Sequence, residues 1–153
     1  MHNQSVGFET FDVGERVRFI KVSTLEPAED SDLRTVVSAT MNSYNTVTLE
    51  LNEDVPDGYS VGDAIENADY QPDIEYTNNV IRNLGPRCLL LTTNGKVVIR
   101  DCMFDNVPGQ TFYFPGDART WYESGACKDI TIENNIVSRC CYYQGNGEGK
   151  ALI

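Results

Sequence analysis

The ten residues Gly116-Asp117-Ala118-Arg119-Thr120-Trp121-Tyr122-Glu123-Ser124-Gly125 gather two carboxylates, a guanidinium and two large rings between glycines, and they hold the only Trp of the chain. Asp117 and Glu123 offer acid–base capacity, and Arg119 offers hydrogen bonds. Loop tips are usually plainly polar. A Trp-Tyr pair in such a loop lowers solubility unless it packs or binds something. The stretch is therefore read as a binding insertion. The plainer readings are an Asx turn at Asp117, a surface ion pair between Glu123 and Arg119, and a Trp121 that covers the end of an apolar stack.

The elements that must position this stretch show themselves as a repeat. Residues 73–83, 96–106 and 129–139 align without gaps, so that Ile74, Val97 and Ile130 correspond, as do Asn78, Asp101 and Asn134, and Val80, Met103 and Ile136. The offsets are 97 − 74 = 23 and 130 − 97 = 33 residues, and the excess of ten equals the length of the insertion. A fixed period in this range predicts a solenoid, and insertions in a solenoid leave the coil as loops. The units are β-branched and alternating, with Asn or Asp at the corner after each strand, where a left-handed backbone is tolerated. Arg87-Cys88-Leu89-Leu90-Leu91 precedes Gln110-Thr111-Phe112-Tyr113-Phe114 by the same 23 residues. Short strands in coils of this size predict an all-β chain whose second part is a right-handed parallel β-helix.

The first part differs. Arg16-Val17-Arg18-Phe19 and Thr46-Val47-Thr48-Leu49-Glu50-Leu51 alternate polar and apolar, as half-buried antiparallel strands do. Gly14, Gly58 and Gly62 each follow turn residues. Glu26 to Asp32 reads as a solvated acidic loop. Residues 1–66 are thus expected to form a small antiparallel β-barrel or sandwich, and residues 67–153 a right-handed parallel β-helix fragment. Ala151-Leu152-Ile153 reads as the opening of a further strand.

Charge and cysteines narrow the chemistry. Twelve Lys and Arg against 23 Asp and Glu give a net charge of −11. Nucleic acid binding wants a basic face, so no nucleic-acid partner is expected. Anionic polysaccharides such as pectin are disfavoured for the same reason. No apolar run is long enough to span a bilayer, so no membrane partner is expected. The five cysteines, Cys88, Cys102, Cys127, Cys140 and Cys141, form no CxxC pair, and the one His is His2. No metal site is expected from them. Cys88 and Cys102 fall in strand repeats and read as small buried hydrophobes.

These residues resemble glycoside hydrolase family 110, the bacterial exo-acting α-1,3-galactosidases. Gly116-Asp117-Ala118 followed by Trp121-Tyr122-Glu123-Ser124-Gly125 is similar to that family's G-D-A-x-x-W-Y-E-S-G signature. Leu90 to Ile99 is similar to its L-x-T-x-G-K-V-V-I segment. His2 to Glu9 resembles the segment that opens its inserted barrel. Arg119 stands where the family pattern carries Asn. The resemblance implies a C-terminal fragment, with the inserted barrel and part of the β-helix. It also implies that a paired-Asp motif lies upstream, because no adjacent Asp pair occurs here.

From that resemblance follow an activity and a set of residues. The parent would release terminal α-1,3-linked galactose from a glycan by inverting hydrolysis without metal or cofactor, and would be secreted or periplasmic. Asp117 and Glu123 would be the catalytic carboxylates. Trp121, Tyr122, Arg119 and Arg87 would bind the sugar. The fragment alone would be inactive and would associate through its exposed β-helix end into a homo-oligomer. The alternative is a non-catalytic carbohydrate-binding or adhesin β-helix module. A polysaccharide lyase fits less well, since neither a calcium-site spacing nor a basic cluster is present.

Overall fold

The structure is a computed structural model, and it describes residues 11–43, 46–118 and 124–142. The described residues build an all-β chain with antiparallel and parallel sheets. Two compact units are present, Met1–Gln71 with Asp117–Gly125, and Pro72–Gly116 with Ala126–Ile153.

The first unit is organised on strand β1 (Arg16–Lys21), which pairs antiparallel with β2 (Glu26–Pro27), β3 (Arg34–Ser43) and β5 (Ala64–Asn67). β3 also forms a long hairpin ladder with β4 (Thr46–Leu51), broken by register shifts after Val36 and Met41. β4 alternates as its sequence predicts, with Val47, Leu49 and Leu51 turned inward relative to Thr46, Thr48 and Glu50. The core holds Val17, Phe19, Ala28 and Val36, against which Phe11, Leu49, Leu51 and Tyr59 pack. Gly14, Gly58 and Gly62 adopt φ of 96°, 89° and 102°, the left-handed turns their positions predict.

Two expectations change here. Glu26 to Asp32 is not a solvated loop, because Pro27 pairs with Ile20 and both Pro27 and Ala28 are buried. β1 does not alternate, because Val17, Arg18, Phe19 and Ile20 are all buried. A strand flanked on both edges and covered on both faces has no solvent side. The chain also leaves this unit later than residue 66. Asp69 accepts hydrogen bonds from the Arg16 backbone N–H at 2.7 Å and from Arg16 Nε at 2.7 Å, which ties residues beyond 66 to β1.

The second unit is built from three parallel sheets. The first takes β6 (Ile74–Thr77), β9 (Lys96–Arg100) and β12 (Asp129–Glu133), and the second takes β7 (Val80–Arg82), β10 (Met103–Val107) and β13 (Ile136–Cys140). The third pairs β8 (Leu89–Leu90) with β11 (Phe112–Tyr113). The register joins the residues that align in the repeat. Ile74 faces Val97 and Val97 faces Ile130, while Val80 faces Met103 and Met103 faces Ile136. Sheets that draw one strand from each successive 23-residue segment fit a β-helix.

Corners and stacking explain why the repeat holds its period. Asn78, Asp101 and Asn134 have φ of 56°, 56° and 54°, so Asp101 is a corner residue. A second corner recurs at Asn83, Asn106 and Arg139, with φ of 53°, 58° and 51°. Asn106 donates from its amide to Asn83 Oδ1 at 2.7 Å, a side-chain ladder between successive corners. Inside, Val97, Ile99, Cys102, Phe104 and Phe112 form the buried core. The rings of Phe104 and Phe112 meet edge to face, with centroids 5.0 Å apart. Alternation sends the neighbouring row the other way. Val80 and Ile136, which flank Met103, are 62% and 61% exposed.

Candidate functional site

The insertion begins from a tight base in the first unit. The Asp117 backbone N–H donates to the Ser124 carbonyl at 2.9 Å, which brings the two ends of the loop together. Ala118, Ser124 and Gly125 are buried, and Asp117 is half-buried. Arg119, Trp121, Tyr122 and Glu123 lie outside the described residues. Arg87 belongs to the second unit, where its guanidinium carbon lies 5.0 Å from the centroid of the Tyr113 ring.

Sequence reasoning missed what the base of the loop rests on. Glu66 on β5 is only 6% exposed. Its Oε2 accepts from the Ser124 hydroxyl at 2.8 Å and from the Gly125 backbone N–H at 3.1 Å. Its Oε1 lies 3.5 Å from Arg18 Nε. Arg18 and Glu66 are directly opposed across the β1–β5 ladder. Arg18 also donates to the Ala28 carbonyl at 2.8 Å and pairs with Asp30 at 2.9 Å. A buried carboxylate with an opposite charge and two donors has the company that makes burial tolerable.

Close packing seals the same face. A Cβ on Gly125 would lie 3.3 Å from the Leu25 carbonyl oxygen and 3.4 Å from Ile20 side-chain carbons. Gly at this position therefore lets the loop backbone lie against the barrel. The only hint in the sequence was a charged residue in each of two apolar strands, Arg18 and Glu66. Alternation assigns such residues to solvent.

In the second unit the charged groups serve the coils. Arg139 grips Asp105 through two hydrogen bonds, of 2.9 Å and 2.6 Å, and this contact holds the Asp105 carboxyl below the usual carboxylate range. Arg100 pairs with Glu75 at 2.7 Å. Burial pushes the Cys88 thiol up to about 11. Among the described residues no three His, Cys, Asp or Glu side chains are grouped as metal ligands would be.

Comparison with known proteins places this arrangement. Residues 1–65 match the family described as GLAA-B beta-barrel domain II. Alpha-1,3-galactosidase B of Akkermansia muciniphila is 41% identical over 91% of this chain and 18% of its own length. Alpha-1,3-galactosidase A of Bacteroides fragilis is 32% identical over 100% of this chain and 25% of its own length. Alpha-1,3-galactosidase A of Akkermansia muciniphila is 30% identical over 92% of this chain and 23% of its own length. The chain thus spans a quarter or less of the curated relatives it matches. It belongs to the family of the alpha-1,3-galactosidases A and B and carries their second β-barrel domain over its first 65 residues.

Proposed function

We propose that this chain is part of an exo-acting glycoside hydrolase that releases terminal α-1,3-linked galactose from glycans. The similarity of nine-tenths or more of the chain to proteins named alpha-1,3-galactosidase, through barrel, repeats and insertion alike, carries the reading. The parallel sheets are then coils of a right-handed parallel β-helix, and the insertion is the loop that presents the sugar-binding groups. The parent is secreted or periplasmic.

The chemistry is inverting hydrolysis without a metal ion, as the family resemblance implies. One carboxylic acid protonates the leaving glycosidic oxygen. A second carboxylate takes a proton from the attacking water, and the two stand roughly 6.5–9.5 Å apart to admit that water. Asp117 and Glu123 are the carboxylates this chain offers. Trp121 or Tyr122 stacks on the galactose face, with Arg119 and Arg87 available to its hydroxyls. Upstream acids complete the site, so the isolated chain is inactive. β12 and β13 end their sheets among the described strands. A sheet end of this kind offers unpaired backbone groups through which isolated chains would associate.

The test is galactose release from α-1,3-galactobiose by the full-length protein and by this chain. Turnover by the full-length protein alone is expected. Asp117→Asn or Glu123→Gln should lower kcat by about a hundredfold or more. No release by the full-length protein refutes the reading. Retained sugar binding without turnover in the unsubstituted protein would favour a carbohydrate-binding module instead.

A further inference from the structure

The buried Glu66 carboxylate sits 58 residues from Ser124 in sequence, yet it receives both polar groups at the closing end of the insertion. Nothing about barrel stability requires this. Arg18 is already engaged by Ala28 and Asp30, and a hydrophobic residue at position 66 would fill the same space without the need to bury a charge. What the carboxylate adds is direction. A two-oxygen acceptor fixes a hydroxyl and an adjacent N–H at once, and the opposed guanidinium fixes the carboxylate. The base of the loop is thereby set by three residues from two strands and the loop itself.

We propose that Glu66, oriented by Arg18, is a positioning residue that holds the sugar-binding insertion in its working conformation. The barrel unit then serves substrate binding through the loop it anchors. This rests on the galactosidase reading for what the loop binds, but the anchoring stands on its own geometry. Glu66 touches the loop backbone and Ser124, and its effect on substrate passes through them.

Two measurements test it. In this chain, amide hydrogen exchange is followed at Asp117 and Gly125, with Val97 and Ile99 as references in the other unit. Glu66→Ala should speed exchange at Asp117 and Gly125 by about tenfold or more and leave the references unchanged. In the full-length protein, Glu66→Ala should raise KM for α-1,3-galactobiose by about tenfold, and Glu66→Gln, which keeps one acceptor oxygen, by less. A merely structural role would lower the folded fraction without moving KM. Should Glu66→Ala fail to fold, Ser124→Ala removes one donor, leaves the Arg18–Glu66 pair intact, and should still speed exchange at Gly125. Unchanged exchange at Gly125 overturns the anchoring. Faster exchange with an unchanged KM overturns the link from anchoring to binding. If the unsubstituted full-length protein releases no galactose, the galactosidase reading fails and exchange alone decides the anchoring.

Discussion

Phe104 and Met103 are neighbours on one strand, and replacing each by Ala tests the register of the whole second unit. Phe104 is fully buried and meets Phe112 edge to face, whereas Met103 lies in the outward row between Val80 and Ile136. Truncating a buried Phe to Ala costs about 3–5 kcal/mol in lost transfer energy and residual cavity. Truncating Met103 should cost under about 1 kcal/mol, as a side chain with little packing to lose. The two units make a single unfolding free energy ill defined, so the assay must report on this core alone. Cys102 supplies that report, being 3% exposed and part of the same cluster. Its labelling by a thiol reagent requires the core to open. When reclosing outruns labelling, the rate follows the open population. At about 1.4 kcal/mol per tenfold, Phe104→Ala should then label Cys102 between about a hundred and a few thousand times faster. Met103→Ala should change it less than about tenfold by the same conversion. Mass spectrometry of the Cys102 peptide reads the rate. Equal acceleration by the two variants would refute the register, because a slip of one residue exchanges every inward and outward side chain.

A Cβ at Gly109 would overlap the Pro86 carbonyl oxygen, whereas one at Gly85 meets nothing within 4 Å. Gly109→Ala should therefore destabilise by about 2 kcal/mol or more while Gly85→Ala is neutral or slightly stabilising, as denaturation midpoints would show. Asp105, held low first by its hydrogen bonds from Arg139, contributes stability that is complete above the ordinary carboxylate value of 3.8 and is lost as pH falls through its depressed value. The melting temperature should thus fall on acidification below about pH 4 in the wild type, and fall less steeply in Asp105→Asn. With its thiol at about 11 rather than 9.0, Cys88 should alkylate at pH 8 on the order of a hundredfold more slowly than an unperturbed thiol. A rate equal to that of a small-molecule thiol would refute the burial assigned to it.

The relation between sequence and structure divides by range. The spacing of 23 and 33 residues alone determined the parallel register, since β-branched runs of equal phase can stack only in that alignment. Asn78, Asp101 and Asn134 announced the corners, because few side chains tolerate positive φ. The turn glycines did the same for the barrel. These are local properties, fixed by backbone sterics and by the period of a strand. Tertiary structure alone decided that Arg18 and Glu66 are buried, and that the ends of the insertion go with the barrel unit rather than with the coils that flank it in sequence. A charged residue in an alternating strand carries the same local pattern whether it meets water or an opposite charge. Its partner, arriving from 58 residues away, is chosen only when the chain closes on itself.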